Sequence, residues 1–347
     1  MTPTNLKRRQ HLLAAAALGG LAAAPAHAVG VAAAEVPVQA QEFWARKNGV
    51  KLWLYRKYIA AGAGAGAGAD GSGSTGSERK PLLFLVHGSS YSSKTMFDLQ
   101  VAGRKGYSMM DHFARLGFDV WTMDHEGYGH SDRTPSYSDI ASGVDDLKVA
   151  MGVVAQHTGQ TQAAFFGQSS GALRAARFAN AYPQHVSSLV LDAVVWTGKD
   201  SPTLANRRRQ LPMLLKSNVR KVDAAFYATV FTRDEPGAAE PMMGQWVADE
   251  ELKYGDTVPN GTYLDMVQNL PVCDPEKIRC PVLVIRAEHD GIATDEDVMG
   301  FFAKLPNADK QMVKIGGLAH TALLGINRHR FHHAVNAFLS MPERIAL

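Results

Sequence analysis

The 347-residue chain is poor in cysteine, with two, so a disulfide-stapled miniature fold is excluded. Its longest apolar stretch, residues 12–26, is shorter than the roughly 20 residues that span a bilayer. Neither charge is in real excess. The formal +3 is carried by Lys7, Arg8 and Arg9, and no acid precedes Glu35. Without those three residues the chain has 33 basic and 33 acidic side chains, which predicts no nucleic-acid footprint and no polyanionic partner. No internal repeat is visible. With 46% hydrophobic and 20% charged residues, the composition is that of a globular protein large enough for one sizeable core.

The first 28 residues read as an export signal. Lys7-Arg8-Arg9 precedes the apolar stretch, and Ala26-His27-Ala28 fits a small-x-small cleavage site. Arg8-Arg9 resembles a twin-arginine signal, although His11 stands where an apolar residue is usual. The alternative is a general secretory signal. Both imply a periplasmic or secreted protein with no membrane span in its mature form. In that compartment Cys273 and Cys280, seven positions apart, suit either a small disulfide loop or two buried thiols.

Residues 50–56 alternate and predict a strand, whereas residues 60–77 are almost all Gly, Ala and Ser and predict a floppy loop. From residue 82 onward short apolar runs alternate with helical segments. Strands are expected near 82–86, 119–123, 163–166, 188–195, 281–286 and 311–315. Helices are expected near 109–116, 140–157 and 172–182. This rhythm predicts an α/β fold, with a mostly parallel central sheet covered by helices on both faces. Residues 197–270 break it with five prolines and read as a helical cap inserted after the sixth strand. The expected organisation is signal 1–28, core 29–196, cap 197–270 and core 271–347.

The strongest chemical signal is Gly167-Gln168-Ser169-Ser170-Gly171, placed between an apolar strand and a helix. In that context G-x-S-x-G is a nucleophile elbow, a sharp turn exposing the Ser169 hydroxyl at the sheet tip. Ser170 is the competing hydroxyl, on the helix side. A serine needs a base and an orienting acid. Asp290 follows the strand at 281–286, and His320 follows the next strand and a Gly-Gly loop. His320 is assigned as base and Asp290 as the acid that holds its ring. Asp192 is a rival acid, and Glu288 and His289 are loop or rim residues. His329, His332 and His333 have helical spacing and read as a surface stripe in preference to a metal face. The backbone N–H groups of Ser170 and Ser89 are the expected oxyanion donors. Tyr91 and Met96 are candidate pocket residues.

His87-Gly88, the segment Asp124 to Ser131, the elbow at Ser169 and the Asp290/His320 pair together resemble the α/β-hydrolase superfamily. That resemblance implies a cofactor-independent serine hydrolase acting on small-molecule esters, with the Asp124 turn shaping the pocket floor and the cap choosing the substrate. The loop at His87 lacks the extra glycines of the hormone-sensitive-lipase branch and the His-Gly-Gly-Pro-Gly run of prolyl aminopeptidases. Amide, thioester, carbon–carbon and acyl-transfer chemistry remain as alternatives, as does a non-catalytic binding protein on the same fold. Trp196 is a candidate pocket wall, while Phe226, Tyr227, Phe231, Met242, Met243 and Trp246 are assigned mainly to the core of the cap. The basic run Arg207-Arg208-Arg209, or Arg220, is a candidate receptor for a substrate carboxylate.

Overall fold

The computed structural model describes residues 36–60, 79–342 and 345. The export segment and nearly all of the Gly/Ala/Ser loop expected over 60–77 lie outside the described residues. The chain enters through β1 (Val38–Lys47) and β2 (Val50–Ile59), which pair antiparallel along their full lengths. Asn48 and Gly49 join them, both at positive φ (50° and 91°). That is the backbone a two-residue hairpin requires and Asn-Gly tolerates. No strand was expected at β1. Most of its residues are exposed on a sheet edge, so it carries no apolar alternation.

The remaining sheet strands are β3 (Leu82–Val86), β4 (Asp119–Met123), β5 (Ala163–Gln168) and β6 (Val186–Asp192). After a long excursion come β9 (Val282–Ala287) and β10 (Lys310–Ile315). The order across the eight-stranded sheet is β1-β2-β4-β3-β5-β6-β9-β10. From β4 to β10 every pairing is parallel. β3 shows why these strands read as continuous apolar runs. Leu82, Phe84 and Val86 pack on one face of the sheet, and Leu83 and Leu85 on the other. All five are buried, each contributing about 1.5–3 kcal/mol.

Two helical layers cover those faces. Helices α1 (Ser93–Phe97) and α2 (Met109–Arg115) precede α3 (Ile140–Thr158) and α4 (Ser170–Ala181). The intervening segment supplies α5 (Pro202–Arg209), α6 (Leu211–Leu214), α7 (Ala224–Thr232), α8 (Met243–Glu251) and α9 (Gly261–Gln268). Then come α10 (Asp295–Lys304) and α11 (Arg328–Leu339). Ile140, Leu147, Leu173, Phe178, Val298 and Phe301 bring α3, α4 and α10 against one face. Met109, Phe113, Phe331 and Val335 bring α2 and α11 against the other. The segment expected as a cap contributes no strand to the main sheet. Its β7 (Val219–Lys221) and β8 (Thr257–Pro259) form a separate antiparallel pair. No helix of the described residues is long and apolar enough to cross a membrane.

Parallel pairing positions the site. The C-terminal ends of β3, β5, β6, β9 and β10 fall in step: Val86 is opposite Gly167, Gln168 opposite Asp192, and Ala287 opposite Ile315. The loops leaving them therefore emerge on one edge of the sheet, where ligands of open α/β sheets bind.

Candidate active site

Ser169 follows β5 directly and precedes α4. Its backbone has φ 56° and ψ −120°, a region that costs a non-glycine residue on the order of 1–3 kcal/mol. The turn persists because its neighbours are small. A Cβ on Gly171 would lie 2.1 Å from the Val86 carbonyl oxygen, and one on Gly167 would lie 2.5 Å from that of Gly171. The Ser169 N–H is fixed on the Asp192 carbonyl at 2.9 Å.

The loops after β9 and β10 complete a chain of hydrogen bonds. His320 Nε2 lies 3.1 Å from Ser169 Oγ, and His320 Nδ1 lies 2.8 Å from Asp290 Oδ1. With the Nδ1 proton donated to Asp290, Nε2 is left to accept from the serine hydroxyl. All three residues are buried. Gln168 Nε2 donates to the His320 carbonyl, and Arg286 donates to that of Asp290, so each loop is tied to a strand. Burial pushes the Asp290 carboxyl up, but His320, the Ile292 N–H and Arg233 outweigh it and hold it below its ordinary value.

Asp192 does not take the acid's place. Neither of its carboxyl oxygens has a hydrogen-bond partner among the described residues. Burial, then the neighbouring Asp290 charge, push it well above the usual carboxylate range. Glu288 and His289 lie outside the chain of hydrogen bonds, facing each other and Glu235.

Ser89 and Ser170 adjoin Ser169. Ser89 Oγ donates to Ser170 Oγ at 2.7 Å and accepts from Thr262 Oγ1 at 2.8 Å. These bonds occupy the competing Ser170 hydroxyl. The N–H groups of both serines have no acceptor among the described residues, and that of Ser170 opens the twelve-residue helix α4, at its positive dipole end. Tyr128, from the Asp124 turn, donates to the Ser89 carbonyl, which ties that turn to the loop after β3.

The cavity at Ser169 is small, with about 20 Å³ for a molecule the size of water. Tyr91 lines it, and its hydroxyl lies 3.1 Å from Thr321 Oγ1. Arg207, from α5, also lines it. Gln168, Val230 and Arg233 line it too and were not anticipated. Gln168 stands inside the elbow motif. The other two occur in a stretch without periodic or spacing signal.

Several expectations are corrected. Met96 is fully buried in the core and does not reach the cavity. Trp196 borders a different groove of about 940 Å³, lined also by Asp139, Arg177 and Cys273, which contains none of Ser169, Asp290 and His320. Arg208 is exposed, because one helical position from Arg207 points the side chain to solvent. Arg220 does not line the cavity. It donates to the carbonyls of Ser89 and Pro259. Of the two readings of Cys273 and Cys280, a disulfide or two thiols, the structure has free thiols, raised by burial to about 12 and about 11. The loop between them folds around its own turn at Pro275–Lys277, capped by Asp274. The histidine stripe of α11 is not wholly on the surface, since His332 is buried and stacks on His112 at 4.6 Å. Among the described residues no group of three or more side chains is placed to hold a metal.

Residues 78–325 match the model of the family described as serine aminopeptidase, S33. The chain belongs to this family. It is an α/β hydrolase. A hydrolase from Pseudomonas aeruginosa PA01 is similar in structure, with a TM-score of 0.61 and 21% identity over 86% of this chain and 98% of that one. An esterase from Exiguobacterium antarcticum gives 0.61 and 14% over 86% and 99%. The thioesterase domain of the curacin biosynthetic pathway gives 0.57 and 15% over 87% and 100%. At these identities the likeness concerns the fold. A comparison with curated proteins finds no match.

Proposed function

We propose that this hydrolase is an exported serine esterase that works through an acyl-enzyme. The observation that carries the reading is the continuous hydrogen bonding from Ser169 Oγ through His320 to Asp290, beside two backbone N–H groups with no acceptor among the described residues. Ser169 Oγ attacks the acyl carbon and passes its proton to His320 Nε2. Asp290 stabilises the resulting imidazolium. The N–H groups of Ser89 and Ser170 receive the oxyanion of the tetrahedral intermediate. His320 then protonates the departing alcohol. A water, deprotonated by the same nitrogen, attacks the acyl-serine and releases the acid and the free hydroxyl. The 197–270 segment acts as the cap, supplying Arg207, Val230 and Arg233 to the cavity wall.

The charge of that wall favours an ester over an aminopeptidase substrate. A free peptide N-terminus is an ammonium and needs an anionic receptor, whereas the cavity presents guanidinium groups. Hydrolysis of 4-nitrophenyl acetate by the wild type and by Ser169→Ala tests the reading. A loss of about 10⁴–10⁶ in kcat is expected. Equal rates from the two proteins would remove it.

A further inference from the structure

Arg207 is a buried cation without an ion-pair partner among the described residues. It is only 7% exposed. Its guanidinium stacks on the Tyr263 ring at 3.9 Å, and one nitrogen lies 3.5 Å from the Met266 sulfur, a weak acceptor. Stacking of this kind recovers less than the cost of taking an ion out of water. Burial lowers its pKa to about 10, which leaves it charged at neutral pH. Other cap arginines are already engaged. Arg220 holds two backbone carbonyls, and Arg233, at the more open rim, faces Asp234 at 3.2 Å. Asp234 and Asp290 offset two of the three guanidinium charges, and Tyr263, which also hydrogen-bonds Arg207, offsets part of the third. Burial alone would raise the Tyr263 hydroxyl, yet Arg207, Arg220, Ser90 and Arg233 together pull it down to about 7.

This incompletely compensated guanidinium borders the same cavity as Ser169 and His320. We propose that Arg207, with Arg233 at the rim, binds a carboxylate carried by the substrate, so that this site takes anionic esters in preference to neutral ones. The inference rests on the esterase reading above and specifies its substrate class. A planar fork of donors suits a carboxylate in two parallel hydrogen bonds. A neutral ester would leave that fork buried and unanswered, which is how a polar pocket rejects an analogue lacking the matching group. Arg208 and Arg209, on the exposed side of α5, take no part.

The test compares 4-nitrophenyl hydrogen glutarate with 4-nitrophenyl pentanoate, which share a leaving group. It adds 3-carboxy-4-nitrophenyl pentanoate, which moves the carboxylate to the alcohol side. After correction for spontaneous hydrolysis, kcat/KM should favour one anionic ester by about 10². Arg207→Met should abolish that preference, Arg207→Lys should restore part of it, and Lys216→Met, on the exposed surface, should leave it intact. Competition on the wild type covers an Arg207 variant that fails to fold: glutarate should inhibit pentanoate hydrolysis and glutaramide should not. Equal rates on all three esters, equal losses on charged and neutral esters in Arg207→Met, or equal inhibition by glutarate and glutaramide would overturn the inference. Labelling of Ser169 by an uncharged fluorophosphonate separates the two readings. Labelling without charge preference discards the anionic substrate and keeps the esterase. Absence of labelling discards both.

Discussion

Arg220 donates from Nη2 to the carbonyl oxygen of Ser89 across 2.7 Å. A residue of the segment between β6 and β9 thereby holds the peptide next to one proposed oxyanion donor. The same guanidinium donates to the Pro259 carbonyl and stacks on Tyr263 at 3.8 Å. Arg220→Met should lower kcat on a neutral ester by about 10–10², short of the full loss of an oxyanion donor, with a smaller change in KM. Steady-state kinetics with a lysine variant, which keeps the charge and loses the fork, will separate positioning from charge.

The backbone of Ser169 should reveal its strain in a pair of inactive variants. Ser169→Ala keeps a Cβ at φ 56°, and Ser169→Gly removes it. Urea denaturation should find the glycine variant more stable than the alanine variant by about 1 kcal/mol. The reverse order would mean that the turn carries no strain.

The two buried aspartates at the site should behave oppositely. Asp290→Asn removes the carboxylate that fixes the His320 tautomer and should cost about 10⁴ in kcat. Asp192→Asn replaces a carboxyl whose charged form burial already disfavours, so turnover should stay close to wild type. A collapse of activity in the Asp192 variant alone would transfer the acid's role to that residue.

Glu251, on α8, gives the fold a pH dependence. It is buried and accepts from the Ser92 N–H and Oγ at 2.9 and 2.6 Å. Burial raises it from 4.5 to about 7 despite those bonds. The native state therefore binds the proton more tightly than the unfolded chain. The contribution of Glu251 to stability is thus fullest below about pH 4.5 and declines as pH rises through about 7. Glu251→Gln keeps the acceptor and removes the charge. It should match the wild type at pH 4.5 and exceed it at pH 8 by about 2–3 kcal/mol, read by chemical denaturation at both values.

The parts of this molecule legible in its sequence are those where local chemistry and structure coincide. β3 and β9 are apolar because both faces are covered, and Gly167 and Gly171 are glycines because neighbouring backbone leaves no space for a Cβ. Asp290 and His320 were found because parallel strands place their successors on one edge. β1 was hidden because an exposed edge strand need not alternate. Glu251 lies in the run Asp249-Glu250-Glu251 and looks solvated, yet the helix turns it inward onto Ser92. Arg207 and Arg208 are adjacent in sequence and opposite in environment, and Arg233 has no distinguishing neighbours. Their fates follow from long-range packing of the 197–270 segment.

The room beside the Ser169 hydroxyl, about 20 Å³, is that of a water molecule and less than an ester needs. On the esterase reading, an ester is then expected to enter only when Val230 or Arg233 swings aside. Throughput on small, reactive esters will be limited by how often that swing occurs, and thickening the solvent with sucrose will slow it.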